Sequence, residues 1–416
     1  MLTTETYQDS KPDAIVIIGG GHAAAQLCGG LAAAGHGARV HLVCEEPELP
    51  YQRPPLSKAY LKNPDDVLQS HRAESWYVDA GITLHLADPA VAIDRTRRSV
   101  RLQSGRELPY AQLVLATGAR SRNLPHLPEN LANVAVLRSA ADAQRLRTLL
   151  HAAQRLTVLG GGFIGLEIAA SARTLGKEVT VIESAPRLLI RSVSPELAEH
   201  VAQTHRDAGI DLRLGVAAGG FEIDSNGTSL LALTVNGTRE PVELMVLAIG
   251  AASEHSLASD AGLTCDNGID VDECMRTSDP FILAIGDCTS FQEFTSGRRL
   301  RLESVQNAND QARCALATLL GTPEPYRALP WFWSEQGSLR LQMAGLMPAE
   351  GTRHRRPGAT PASFSILHYV SERLVCVESV NAPVEHMTAR KLLEAGRSPE
   401  PSVACDASVA LKTHLL

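Results

Sequence analysis

AIVIIGGGHAAAQL at residues 14–27 and LTVLGGGFIGLEIA at residues 156–169 are two writings of one pattern. In each, an apolar, β-branched run of the kind that forms a buried parallel strand stops at a cluster of glycines and continues as a helix pattern. Gly19, Gly21 and Ala24 fill a G-x-G-x-x-A turn; Gly160, Gly162 and Gly165 fill G-x-G-x-x-G. The first glycine permits the tight turn, the second lets the backbone approach a pyrophosphate, and the third small residue lets the helix pack on the strand. The helix that follows aims free N–H groups at phosphate oxygens.

Two more segments repeat in the same order. VHLVCEE (40–46) is similar to VTVIESA (179–185), and LVLATGA (113–119) to LMVLAIGA (244–251). The acids near the second strand ends, Glu45 and Glu183, are placed to accept hydrogen bonds from a ribose 2′-OH. Three matches in one order make two copies of a nucleotide-binding unit. The candidate dinucleotide contacts are His22, Ala23, Ala116, Thr117 and Gly118 in the first copy, and Phe163, Ile164 and Gly250 in the second.

Two sites imply two dinucleotides, and one flavin plus one nicotinamide dinucleotide explains them better than two of a kind. TSDPFILAIGDC (277–288) is an apolar strand ending in Gly286-Asp287, where an aspartate suits a hydrogen bond to a flavin's ribityl chain. This element follows the second repeat, so the first nucleotide domain is interrupted. The expected division is an FAD-binding domain at 1–122 and 252–330 with an NAD-binding domain inserted at 123–251. The Pro-rich NLPHLPEN (123–130) reads as the crossing linker. The fold class is α/β, with two Rossmann-like domains.

Composition narrows the function. A length of 416 residues exceeds one ordinary core. A net charge of −7 argues against nucleic acid as a partner. The eight cysteines stand singly, with no CxxC and no metal spacing, which points to plain thiols in a reducing cytoplasm and to no metal site. The opening MLTTETYQDSKPD lacks the basic-then-apolar pattern of a signal peptide. No apolar run approaches the roughly 20 residues that span a bilayer, so no membrane association is expected.

With these stretches in place, the chain resembles the FAD-dependent NADH:ferredoxin reductases of bacterial oxygenase systems. The likeness runs from about residue 13 to 400, through IIGGGHAAAQ, PYQRPPLSKAYL, LVLATGA, VLGGGFIGLEIAA, TSDPFILAIGDC, LESVQNANDQA and PWFWSEQ. PYQRPPLSKAYL and PWFWSEQ are particular to this group and its near relatives. The resemblance implies a third, C-terminal α/β domain at 331–416 beside the two Rossmann-like domains. It implies that NADH reduces FAD by hydride and that single electrons then leave to a 2Fe–2S ferredoxin. That ferredoxin would feed a haem-thiolate monooxygenase or a Rieske-type oxygenase. It implies that Glu45, Lys58, Val91, Arg138, Asp287 and Val305 touch FAD. Glu183 favours NADH over NADPH, since a carboxylate repels a 2′-phosphate, although the nearby Arg187 would soften that preference.

PYQRPPLSKAYL (50–61) lies near the point where many flavin-dependent reductases keep a reactive thiol, and here there is none. A disulfide relay has no task when the acceptor is a one-electron protein. Lys58 is instead a movable point charge suited to the flavin N5 edge, and Arg53 a planar fork for a phosphate or the flavin rim. Glu167, set among apolar residues, needs a partner; Lys58, reached across the domain boundary, is expected to supply it and to steady the nicotinamide pocket. A helix beginning near Ser304 and Val305 would aim its dipole at the flavin N1–O2 edge. Trp333 is a candidate for the flavin face, with interface packing as its alternative. His22 needs no acid–base role, because hydride transfer requires no general base. Cys44 reads as a small buried hydrophobe.

Ferredoxins of this class are usually acidic, so the docking face should be locally basic. RRLR, with Arg298, Arg299 and Arg301, is the first candidate, and RHRR (353–356) the second. Two other functions compete. One is an NADH-dependent reductase of a quinone, monodehydroascorbate or a disulfide; the missing thiol motif opposes the disulfide version. The other is a redox-slow binding flavoprotein of the apoptosis-inducing-factor type, opposed by the acidic charge balance.

Overall fold

The computed structural model describes residues 13–415. The chain forms two compact units. The first takes residues up to Gln52, then Gln69–Ala119 and Ser253–Ala328; the second takes Arg53–Leu68, Arg120–Ala252 and the chain from Leu329.

The first unit is built on five parallel strands in the order Ile282–Ala284, Gln112–Leu115, Ile15–Ile18, Val40–Val43, Thr83–His85. Ile15–Ile18 is buried along its whole length, as an all-apolar strand covered on both faces must be. The strand order reverses direction there, so the turn after Ile18 stands at a topological switch point, where such sheets bind ligands. The segment read as returning from beyond the second repeat does return: Ile282 pairs with Leu113 and Leu283 with Val114. Helix His22–Ala33 lies close against helix Val305–Leu319, and a Cβ at Gly30 would sit 2.5 Å from Leu316 Cδ2. An antiparallel meander, Ala90–Asp94, Ser99–Leu102 and Glu107–Pro109, fills the crossover.

The second unit repeats the plan, with parallel strands ordered Asp211–Leu214, Glu178–Glu183, Arg155–Leu159, Leu244–Leu247, Val134–Ala135. The two sheets differ in the source of the fifth strand. In the first it comes from chain following the insertion; in the second it comes from chain preceding the repeat. The second unit also carries an antiparallel sheet ordered Trp331–Gln336, Leu339–Gly345, Arg373–Val380, Phe364–Val370, Thr352–Pro357. Helix Pro383–Glu394 covers that sheet, packing Ala389 and Leu392 on Leu367 and Val377. Buried Glu378 ties this sheet to the nucleotide fold: one oxygen accepts the Ser194 N–H at the start of helix Pro195–Asp207, and the other lies 2.9 Å from His368 Nε2.

The division differs from the sequence reading in two places. Residues 53–68, assigned to the first nucleotide domain, belong to the second compact unit, and so does the C-terminal sheet. The excursion of 53–68 leaves from a narrow base, where Tyr51 bridges Ser70 and Gln52 N–H donates to Gln69 O. Its helical turns Pro54–Ser57 and Ala59–Lys62 bury Leu61 among Leu146, Leu150 and Ile168, under an Arg147 guanidinium stacked 4.2 Å from the Tyr60 ring.

Candidate dinucleotide sites and a buried carboxylate

The two glycine turns have matching geometry. Gly19 and Gly160 have φ of +117° and +109°, and a Cβ on either would lie 2.2 or 2.3 Å from the carbonyl oxygen of Ala116 or Ala248. Only glycine fits that approach and that backbone. Ahead of the helices the space is open: a Cβ at Gly21 or Gly162 meets nothing within 4 Å. Ala24 and Gly165, both buried, seat their helices on the strands, and a Cβ at Gly165 would sit 2.4 Å from Gly160 O.

Helices His22–Ala33 and Phe163–Thr174 start at Gly21 and Gly162 with no side-chain cap and no acid in the first turn. Helices Ala140–Ala152, Pro195–Asp207 and Val305–Leu319 are instead capped by Ser139, Ser194 and Ser304. Free N–H groups facing open space suit a dinucleotide pyrophosphate in both units. Phe163 is half-buried and Ile164 is 47 % exposed at the second turn.

Around the first turn, Ala23 packs against Gly286, whose φ is +84°. Gln311, fully buried in helix Val305–Leu319, fastens this place by accepting the Gly286 N–H and the Thr289 hydroxyl. That clamp was not foreseen from the sequence. Half-buried Asp287 follows, its carbonyl accepting from Arg301. Thr117 donates its hydroxyl to Glu254 O, and Gly118 turns with φ +72°. His22 meets His71 edge-on at 4.6 Å. Val91 is half-exposed at a bulge that the strand ladder skips between Ala90 and Ala92. Ser304 accepts the Asn307 N–H, so Val305 opens its helix as the sequence indicates.

The acids of the two copies are not equivalent. Gly19 N–H donates to Val43 O and Gly160 N–H to Ile182 O, so Cys44 occupies the place of Glu183. Cys44 is buried beneath the turn, and a Cβ at Gly20 would lie 3.0 Å from its sulfur; burial pushes its thiol up to about 12. Glu45 stands one residue further on and is exposed. Glu183 accepts the Gly161 N–H at 2.6 Å and the Ala185 N–H at 2.7 Å. Arg187 is committed elsewhere, donating to Val193 O and Ile190 O. Gly250 turns with φ +103°, its carbonyl accepting the Arg122 N–H.

Four residues expected at the flavin lie in the second unit: Arg53, Lys58, Arg138 and Trp333. Arg53 donates to Arg138 O at 2.6 Å, and the Arg138 N–H is held by Asp142. Lys58 donates to Glu167 Oε2 at 2.6 Å, with side-chain exposures of 18 % and 4 %. The same oxygen accepts the Ser57 hydroxyl, and Oε1 accepts the Ser334 hydroxyl at 2.7 Å. Neither serine was singled out in the sequence. Trp333 sits 5.6 Å from Trp331, over which Arg390 stacks at 4.4 Å.

The basic runs are largely structural. Arg299 pairs with Asp270, and Arg301, 11 % exposed, pairs with Glu303. In RHRR, Arg355 pairs with Glu196, and buried Arg356 donates to Ala404 O, Asp406 O and Val409 O. All eight cysteines are free. Among the described residues no helix is long and apolar enough to cross a membrane.

Two dinucleotide folds on one chain, with uncapped helix starts, are the architecture of a flavin- and nicotinamide-linked reductase. The pyridine nucleotide-disulphide oxidoreductase family model matches residues 13–312, and the reductase C-terminal model matches 331–415. Rhodocoxin reductase of Rhodococcus erythropolis is 41% identical over 96% of this chain and 93% of its own. The ferredoxin–NAD(+) reductase component of the anthranilate 1,2-dioxygenase system of Burkholderia cepacia is 38% identical, over 97% and 99%. The crystal structure of the covalent putidaredoxin reductase–putidaredoxin complex matches with a TM-score of 0.93 at 38% identity, over 98% of this chain and 99% of that one. The chain belongs to the pyridine nucleotide-disulphide oxidoreductases, in the branch of FAD- and NADH-dependent ferredoxin reductases.

Proposed function

We propose that this protein carries electrons from NADH through FAD to an acidic 2Fe–2S ferredoxin that feeds a haem-thiolate monooxygenase or a Rieske-type oxygenase. The observation that carries the reading is the pair of matching glycine turns, one in each unit, on a chain whose cysteines are all unpaired. FAD, when bound, supplies the chemistry that accepts a hydride and gives up electrons singly.

The chain's own residues bind and orient. Gly19, Gly21 and Ala24 hold the FAD pyrophosphate, with His22, Ala23, Glu45, Val91, Ala116, Thr117, Gly118, Gly286, Asp287, Ser304 and Val305 as further FAD residues. Arg53, Lys58, Arg138 and Trp333 keep the flavin-side roles that the family resemblance and their chemistry suggest. Gly160, Gly162 and Gly165 hold the NADH pyrophosphate, with Phe163, Ile164 and Gly250 beside them. Glu183 selects NADH, and the Arg187 guanidinium, held by two carbonyls, supports that choice because it is not left to meet a 2′-phosphate. Lys58 and Glu167 steady the nicotinamide end.

For docking, pairing of Arg299 and burial of Arg301 leave exposed Arg298 as the charge of that run that meets the ferredoxin. Eight free thiols suit a reducing cytoplasm. Anaerobic titration tests the reading. One NADH should reduce two equivalents of 2Fe–2S ferredoxin, since one hydride carries two electrons. Arg298→Glu should weaken ferredoxin reduction several-fold at low salt and leave NADH-driven flavin bleaching unchanged. Direct two-electron reduction of a quinone, with no ferredoxin reduced, would contradict it.

A further inference from the structure

Strand Trp331–Gln336 alternates its side chains between two faces. Phe332, Ser334 and Gln336 share the face turned to the second nucleotide fold. Phe332 meets Phe163 with ring centroids 4.6 Å apart, Ser334 reaches Glu167, and Gln336 reaches His205 at 2.9 Å. Phe163 and Glu167 are one helical turn apart and so lie on one face of their helix. The strand therefore runs along the helix that begins at the NADH glycine turn.

The hydrogen bonds along this face point one way. The Ser334 hydroxyl donates to Glu167 Oε1, so its oxygen is free to accept from Gln336 Nε2 at 3.1 Å. With that amide nitrogen donating, Gln336 Oε1 must accept, and the His205 proton is therefore on Nε2. His205 is buried, and burial lowers its pKa from the ordinary histidine value, which keeps the ring neutral. The chain His205→Gln336→Ser334→Glu167 thus delivers aligned donors to one carboxylate oxygen. The other oxygen accepts Ser57 and Lys58, and the Ser57 backbone is itself fixed by the Ser171 hydroxyl on its carbonyl. Every contact to Glu167 is a donor, an arrangement that suits an acceptor-only carboxylate.

We propose that Ser334, backed by Gln336 and His205, is a positioning residue for the NADH half-reaction. It holds Glu167 in one rotamer and, through it, the Lys58 ammonium, so that the C-terminal sheet sets the geometry at the nicotinamide end. The inference rests on the assignment of Lys58 and Glu167 to that end.

The test uses the FAD-loaded enzyme with two readouts: the single-turnover rate of flavin bleaching by NADH, and the rate at which a water-soluble acylating reagent modifies Lys58, read by peptide mass spectrometry. Ser334→Ala should slow bleaching about tenfold, the size of one hydrogen bond to a charged group, and should speed acylation of Lys58 several-fold. Ser334→Thr, which keeps the hydroxyl, should restore both to within about threefold of the parent. Gln336→Met should move both readouts in the same direction by less, and decides the matter if Ser334→Ala does not fold. If Glu167→Gln slows bleaching while Ser334→Ala and Gln336→Met leave both readouts unchanged, the positioning role is overturned and the Lys58–Glu167 assignment stands. If Glu167→Gln is also without effect, that assignment fails.

Discussion

Lys58 Nζ lies 2.6 Å from Glu167 Oε2, although 109 residues separate them in the chain. Glu167 is buried and Lys58 nearly so. Removing one member strands the other, which costs about 3–5 kcal/mol for a buried pair. Lys58→Met should therefore destabilise the protein by about 3 kcal/mol in urea unfolding. Glu167→Gln should cost less, because its amide still bonds to the serines. The double variant should be more stable than the sum of the singles requires, by 1 kcal/mol or more on the order expected for contacting groups. Additive losses would mean that the contact carries no energy.

The two tight turns should fail separately. Gly160→Ala places a Cβ 2.3 Å from Ala248 O at φ +109°, a strain of about 1–3 kcal/mol that must be relieved by moving the second glycine turn, the one proposed for NADH. The variant should purify yellow and bind FAD, yet show NADH reduction slowed at least about tenfold, as one misplaced binding turn implies. Gly19→Ala should purify depleted of flavin. Absorbance at the flavin band, per protein, reads the difference.

Glu183 accepts the backbone N–H groups of Gly161 in the glycine turn and of Ala185 in its own turn, while standing where the sequence pattern places a ribose partner. Glu183→Ala should lower kcat/KM for NADH about tenfold, as loss of a charged acceptor implies, and should narrow the gap to NADPH. Arg187→Ala should not change the ratio, since its guanidinium is bound to Val193 O and Ile190 O. An unchanged ratio in Glu183→Ala would remove that carboxylate from cofactor choice.

His386 is buried beside Trp331, and burial together with the Arg390 and Arg340 guanidiniums pushes its imidazole down to about 4 from 6.5. The unfolded chain then binds the proton more readily than the folded one, so stability falls with pH between about 6.5 and 4. The stabilisation is complete above pH 6.5 and its loss amounts to about 3 kcal/mol at the acid end. His386→Leu should flatten the melting temperature across that window. An unaltered slope would assign the acid sensitivity to other groups.

Much of this molecule is written locally. The turns at Gly19 and Gly160 are legible because strand, glycines and helix are contiguous, and because the pattern occurs twice. The return of Ile282–Ala284 is legible because an all-apolar strand needs a buried sheet position. What escaped is what several segments assemble around the expected Lys58–Glu167 pair. Ser57, His205, Ser334 and Gln336 come from three stretches, and nothing in a lone serine marks it as a carboxylate partner. The offset of Glu45 from Glu183 is already legible in the match of VHLVCEE with VTVIESA, which sets Cys44 opposite Glu183, and Cys44 packs under the turn accordingly. A basic run alone does not separate fold from docking, because arginines serve both: Arg356 ties down the C-terminal segment through three carbonyls.

The central claim, hydride in and single electrons out, is tested most directly by NADH-driven cytochrome c reduction with and without an added 2Fe–2S ferredoxin. The account predicts a slow basal rate and a large, saturable increase with ferredoxin that falls as salt is raised, while NADH-driven flavin bleaching holds steady. A rate independent of every ferredoxin offered, with rapid NADH oxidation by a quinone instead, would contradict it.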